Sequence, residues 1–294
     1  MRSILLAFLL SAPAAQAAAP AVRIGFNPVD HSQAVSQNAK RLGGYLKRKT
    51  GLAVETFVAK DYDDLIAALG NGKADFAFLP PFSFVKAETE AGARVLLKAV
   101  RHGRPSYYSA VLVRSDSGLK KLEDLKGHSM AWVETASATG YLVPRAALAK
   151  KGLDADTFLG KQSFLGTHED VVRAVLEKRA DAGSTWTNDP EGKVSSWQLY
   201  LRKPGEASQL EMIFVSEPIP GDAFATTEHL WATRRAEVDK LTQAMRRMGE
   251  GLDGQQILRD LYGIDQMVPA VHQDFESIRA AAKAIGLSPT AKTH

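Results

Sequence analysis

The 294-residue sequence contains no cysteine. That single absence removes disulfides, thiolate zinc sites, iron–sulfur clusters and cysteine nucleophiles together. A large charge of one sign is missing too: 37 basic and 33 acidic residues leave +4, spread along the chain. With no Lys/Arg cluster interleaved with aromatics, nucleic acid is not an expected partner. Also lacking is an apolar run of the roughly 20 residues that a membrane-spanning helix needs. The Gly-x-x-x-x-Gly-Lys-Ser/Thr and His-Glu-x-x-His motifs do not occur, and none of the seven histidines pairs with another at i,i+3 or i,i+4. Neither P-loop chemistry, a metal nor any other cofactor is therefore expected. What remains is an ordinary globular composition, 45% hydrophobic and 24% charged, long enough for one large or two medium cores.

The N-terminus carries an address. Arg2 precedes a short apolar run, Ile4 to Leu10, followed by Ser11-Ala12-Pro13-Ala14-Ala15-Gln16-Ala17-Ala18-Ala19. Ala15-Gln16-Ala17 fits the small-x-small cleavage rule, and Ala17-Ala18-Ala19 offers a second frame. The pattern predicts a secretory signal peptide over 1–17 rather than a membrane anchor. Without a lipobox cysteine a lipoprotein is excluded, so the expected location is a bacterial periplasm.

Beyond it, strand patterns at 21–26, 54–58, 74–79 and 95–100 alternate with helical spacing at 36–50 and after Asp61-Tyr62-Asp63-Asp64. The latter places carboxylates in a first helical turn and Gly70 as a stop. This β-α-β-α-β order predicts parallel strands covered by helices. The pattern restarts after Tyr107–Val113, with a strand at 130–133, a helix at 140–151, a strand near Phe164, a helix at 168–179 and a strand from Ala180. Helices alone are expected after Val215. Gly72-Lys73-Ala74-Asp75-Phe76-Ala77-Phe78 and Lys178-Arg179-Ala180-Asp181-Ala182-Gly183-Ser184 each place an Ala-Asp strand start after an amphipathic helix. Two α/β lobes explain this: 18–108 with 217–294 as the first, 109–216 inserted as the second, and extended runs at 107–113 and 212–217 as hinge strands.

Candidate chemistry clusters at strand-to-helix turns. Ser137-Ala138-Thr139-Gly140-Tyr141 opens a helix after a strand. A hydroxyl there commonly caps the helix. It can equally form an anion cradle, because free N–H groups, two hydroxyls and the helix dipole converge, and Gly140 lets backbone approach an oxyanion. Gly166-Thr167-His168-Glu169 repeats the arrangement at the kind of turn where open α/β sheets bind ligands. His168 is there either a structural histidine or an anion donor that gains charge as pH falls. Ser137, His168 and Asp222 do not make a convincing triad, since no Gly-x-Ser-x-Gly elbow is present. Tyr107-Tyr108 alternate across a strand, so one packs in the core and the other can face a cleft. Tyr62 has the same ambiguity. Asp222, in Pro218-Ile219-Pro220-Gly221-Asp222, follows the second extended run and is placed near the cleft mouth.

These motifs, in this order, resemble the phosphate/phosphite/phosphonate-binding proteins of ABC transporters, a branch of the type II periplasmic binding proteins. The resemblance spans nearly all of the mature chain. It is carried by Asp61-Tyr62, Lys73 to Ser83, Tyr107 to Val113, Leu122-Glu123-Asp124-Leu125-Lys126-Gly127, Ser137 to Pro144, Gly166 to Glu169 and Ile219 to Asp222. The Asp-Leu-Lys-Gly and Ala-Asp-Phe-Ala pieces are common to many binding proteins; Ser-x-Thr-Gly, Gly-Thr-His and Tyr-Tyr-Ser are more specific. It implies an α/β fold of two lobes, each a mostly parallel sheet flanked by helices, with the ligand cleft between them. It implies binding without catalysis: phosphoryl oxygens held at Ser137, Ala138, Thr139 and Gly140, with Tyr62, Tyr107, His168 and Asp222 around them. Aminophosphonate binders of the family carry a further acid just after the Asp-small-small strand of the second lobe. Here Ser184-Thr185-Trp186-Thr187-Asn188-Asp189 stands there, with Trp186 filling space. The implied role is a monomeric periplasmic solute-binding protein, peripheral to the membrane, that closes on a small phosphorus oxyanion and delivers it to an ABC permease. A sensory accessory of a histidine kinase and an exported phosphate-ester hydrolase are the rival readings. The resemblance leaves open which oxyanion is bound.

Overall fold

The computed structural model describes residues 20–28 and 33–287. The expected signal peptide, His31 and His294 lie outside the described residues. Twelve strands follow one another as β1 (Val22–Phe26), β2 (Val54–Val58), β3 (Phe76–Leu79), β4 (Ala93–Val100), β5 (Ser106–Arg114), β6 (Met130–Trp132), β7 (Gln162–Phe164), β8 (Ala182–Thr187), β9 (Leu210–Val215), β10 (Ile219–Pro220), β11 (Ala223–Thr227) and β12 (Gln266–Pro269). They form two sheets, one per lobe. The first runs β12-β4-β11-β3-β1-β2; the second runs β10-β5-β8-β6-β7, with β9 also on β5. β1 pairs in parallel with β2 and β3, and β6 with β7 and β8. The returning strands run counter: β11 is antiparallel to β3 and β4, and β5 to β8, β9 and β10.

Local chemistry explains the helices that matter for the site. Asp61 caps helix 62–70, accepting the Asp64 N–H at 2.8 Å. Proline stands at the first position of helix 81–91, where its missing N–H costs nothing, and Gly92 closes that helix in the left-handed region at φ 61°. Thr167 caps helix 168–176 through the Asp170 N–H at 3.1 Å. The core of the first lobe stacks Phe26 on Phe78 and Phe76 on Phe224, at ring separations of 5.3 and 5.5 Å. That of the second is built on Val111, Val113, Met130, Trp132 and Leu148. A further apolar cluster joins the lobes: Ala138 and Leu142 of the second pack with Phe82, Phe84, Phe275, Ile278 and Ala282 of the first.

Three expectations from the sequence need correction. Each sheet is mixed rather than mostly parallel, with two parallel and three antiparallel pairings, because the strands that return between the lobes run counter. The stretch after Val215 is not helical throughout, because β10, β11 and β12 lie within it. β11 is only five residues long, and its burial between β3 and β4 comes from partners more than a hundred residues away, which no local pattern encodes. The extended runs expected at 107–113 and 212–217 fall in β5 and in β9, which ends at Val215, both of the second sheet; the connections between sheets fall instead at 101–105 and 221–222. The first connection is a tight reversal. Arg101 and Arg104 exchange both backbone hydrogen bonds at 2.9 Å, with His102 at φ 49° and Gly103 at φ 71°, as a turn with two positive φ angles requires. The two connections are also tied together. Gly221 N–H donates to the Pro105 carbonyl and Ala99 N–H to the Asp222 carbonyl, both at 2.9 Å.

Candidate ligand cleft

A cavity of about 580 Å³ lies between the lobes. Its inner wall is made where strands end. Asn27 follows β1, Tyr62 comes after β2, Pro80 follows β3, Ser137 comes after β6, His168 after β7 and Asn188 follows β8, and all six line the cavity. These strand ends open helices at Tyr62, Pro81, Ala138 and His168, so four helix N-termini face one space. The positive ends of their dipoles favour a small anion there without requiring a cation.

Eight of the nine residues expected from the sequence line this cavity: Tyr62, Tyr107, Ser137, Ala138, Thr139, His168, Trp186 and Asp222. Gly140 does not. Its α-carbon faces Val133, whose side chain a methyl group would strike, so glycine is needed there for packing. The Ser137 hydroxyl accepts the Gly140 N–H at 3.1 Å and thus caps the helix while also lining the cleft. The first turn, 138–142, is a π turn closed by Leu142 N–H to the Ser137 carbonyl at 3.0 Å. Compared with an α turn, this leaves one more N–H at the helix start without a carbonyl. Two buried hydroxyls, from Ser109 on β5 and Ser184 on β8, each donate to the Thr139 carbonyl at 2.7 Å and fix the turn against the sheet.

His168 is buried, and its Nδ1 lies 3.1 Å from the Thr185 hydroxyl, which in turn meets the Ser196 hydroxyl at 2.7 Å. Burial lowers its pKa to about 3. The expectation that His168 gains charge as pH falls is therefore corrected: desolvation keeps the imidazole neutral through the physiological range. The sign for stability follows. The unfolded chain takes a proton near pH 6.5 that the folded chain refuses down to about 3, so this contribution is complete above 6.5 and is lost as pH falls below it. Between pH 6 and 4, wild type should lose stability more steeply than His168→Gln, by at most about 1.4 kcal/mol per pH unit. Urea midpoints at three pH values check this; parallel curves for the two proteins would show that His168 is readily protonated in place.

Asp222 is not the isolated acid that the sequence suggested. Arg101 Nη2 donates to its Oδ2 at 2.6 Å, and the Tyr107 hydroxyl stands 3.5 Å from Oδ1. Burial opposes the guanidinium charge, but Asp222, by its charge and hydrogen bond, outweighs burial and holds Arg101 above its ordinary pKa. Burial first, then the Asp222 charge, push the Tyr107 phenol well above 10, so it stays a neutral donor. Arg101 also donates through Nε to the Tyr262 carbonyl at 2.8 Å, anchoring the pair to the first lobe. Sequence reasoning missed Arg101, although its place at the end of β4, on the same edge as the other strand ends, was a usable signal. It also missed His102, which lines the cavity. Glu134 was missed as well. It reaches across the lobes to accept the Tyr62 N–H at 3.4 Å, and burial raises its pKa, with Asp61 and Asp63 adding to the rise. Ser83 completes this inter-lobe seam by donating to the Ala136 carbonyl at 3.0 Å. No group of three or more potential metal ligands occurs among the described residues.

With this geometry, the comparisons agree. Residues 24–275 match the family model described as the periplasmic substrate-binding protein of a phosphonate ABC transporter. The chain belongs to this family. It is 29% identical over 214 residues to a phosphate-import protein of Mycolicibacterium smegmatis, covering 69% of this chain and 65% of that one. It is 28% identical over 199 residues to the phosphonates-binding periplasmic protein of Escherichia coli, covering 66% and 56%. The chain thus spans less than two thirds of the length of these two curated relatives. A solved binding-protein component of an ABC phosphonate transporter from Pseudomonas aeruginosa superposes with a TM-score of 0.76 at 25% identity, covering 89% of this chain and 85% of that one.

Proposed function

We propose that the protein is a periplasmic solute-binding protein that captures a small phosphorus oxyanion and presents it to an ABC permease without turning it over. The supporting observation is the convergence of four helix N-termini on one cavity that also holds the Ser137 and Thr139 hydroxyls, a neutral His168 and a neutral Tyr107. Such a site holds the anion with neutral donors and dipoles, which suits reversible capture. Asp222 adds selectivity. With Arg101 on one oxygen, its other lone pairs accept a P–OH proton, which a fully ionised tetrahedral anion such as sulfate does not offer. Lobe closure supplies the mechanism. The connections 101–105 and 221–222 act as the pivot, the Tyr62–Glu134 and Ser83–Ala136 contacts bridge the lobes, and the ligand favours the state in which both lobes touch it.

A thermal-shift series with inorganic phosphate, phosphite, methylphosphonate and sulfate tests this reading. A ligand at 100 times its Kd adds about 2.7 kcal/mol, which is roughly 5–11 °C for a chain near this size. At least one phosphorus oxyanion should produce such a shift and sulfate should not. A shift with sulfate alone, or with none of the four, would remove the reading.

A further inference from the structure

The cavity is far larger than a phosphoryl group needs, and its outer half differs in character from its inner half. About 580 Å³ is within the range of pockets that enclose a whole organic ligand. The inner end carries the donors described above. The apolar lining of the outer half is Val194 and Leu199 on the second lobe, and further apolar lining comes from Trp186 of that lobe and from Leu261 and Tyr262 of the first. Val194 and Leu199 are 38% and 49% exposed, among the few large apolar side chains that the fold leaves uncovered. Apolar surface at the mouth of a polar site marks where a ligand's apolar part rests.

Charge narrows the class further. An ammonium-bearing ligand needs a carboxylate that is not already engaged. Two line the cavity, Asp222 and Asp260. Asp222 holds Arg101 and, in the oxyanion reading, the P–OH of the phosphoryl group itself, and Asp260 holds Arg41 at 2.5 Å and the Gln256 amide at 2.6 Å. Asp189, just after β8, is turned into its own loop. It accepts the N–H groups of Glu191, Lys193 and Val194 at 3.1, 3.0 and 2.6 Å. The charged groups added at the outer wall are cations, Lys193 and Arg259. A ligand ammonium would meet paired acids and like charges.

Building on the oxyanion reading, we propose that the ligand is an organophosphonate whose substituent is apolar or aromatic and carries no ammonium, with Trp186 and Leu199 contacting that substituent. Calorimetric titration at pH 7.5 with methylphosphonate, 2-aminoethylphosphonate and phenylphosphonate tests it in wild type, Trp186→Ala and Leu199→Ser. Phenylphosphonate should bind wild type at least about tenfold more tightly than methylphosphonate, since each buried apolar carbon adds favourable transfer energy. 2-Aminoethylphosphonate should bind more weakly than methylphosphonate. The phenyl-to-methyl affinity ratio should fall several-fold in each variant; being a ratio, it does not move with the fraction of folded protein. Equal affinities for the phenyl and methyl ligands, or 2-aminoethylphosphonate as the tightest of the three, would overturn the inference while leaving the oxyanion reading intact. Binding of none of the three would overturn both.

Discussion

Arg101→Met should weaken phosphonate binding at least about 100-fold, a loss near 2.7 kcal/mol. The guanidinium and its partner carboxylate are 15% and 20% exposed, and removing one leaves the other charged and largely desolvated beside the cleft. A bare Asp222 repels any oxyanion held on the helix N-termini opposite. Stability should fall too, by about 2–3 kcal/mol, below the range for a fully buried pair because some solvent reaches this one. Arg101→Lys should recover part of both effects: it keeps the charge but cannot serve Asp222 and the Tyr262 carbonyl together. Calorimetry and thermal melts on the two variants separate the effects. Binding within threefold of wild type in Arg101→Met would detach the ion pair from the ligand.

Gly221→Ala should be the most destabilising conservative change in the connection between the lobes. A methyl group at this α-carbon would collide with the Ala99 carbonyl, a backbone atom of β4 that cannot rotate away. The connection would have to leave β4, breaking the Gly221–Pro105 and Ala99–Asp222 hydrogen bonds. A cost of about 3 kcal/mol is expected, lowering Tm by roughly 6–12 °C. Gly44→Ala should move the other way. It lies inside helix 33–50, where an added methyl group meets only the end of the flexible Arg48 side chain. There alanine should stabilise by about 0.5–1 kcal/mol. Thermal melts of both variants check the pair; an unchanged Tm for Gly221→Ala would mean that the connection is freely displaced.

The contrast between these positions shows what the sequence could reveal. Ser137, Thr139 and His168 were legible because strand, hydroxyl cap and helix follow one another within a few residues, and the end of a parallel strand is where such sheets bind ligands. Alternation along β5 required one of Tyr107 and Tyr108 to face the cleft, and the family resemblance, not the alternation, chose Tyr107. The charge state of the site was not. Arg101 and Asp222 are 121 positions apart, and nothing local to either names its partner. Gly140 was expected to let backbone approach the oxyanion, but it does not line the cavity; glycine is needed there because Val133 lies against it, a tertiary fact. The neutrality of His168 comes from burial, which composition around one histidine does not encode. Likewise β11 lies in a stretch expected to hold helices alone, and only β3 and β4 brought to either side of it make it a strand. Local capping and periodicity therefore gave the frame and most of the cleft lining, while long-range pairing set the electrostatics.

The most direct test of the central claim is titration calorimetry of methylphosphonate and phenylphosphonate against wild type and the Ser137→Ala/Thr139→Val double variant. Hydrogen bonds to a charged group contribute about 1.5–3 kcal/mol each. If the helix start at 138 is the oxyanion cradle, wild type binds one equivalent of the preferred phosphonate and the double variant, still folded by its melting curve, binds at least about 100-fold more weakly. Equal affinity in the two folded proteins would place the oxyanion elsewhere and contradict the account.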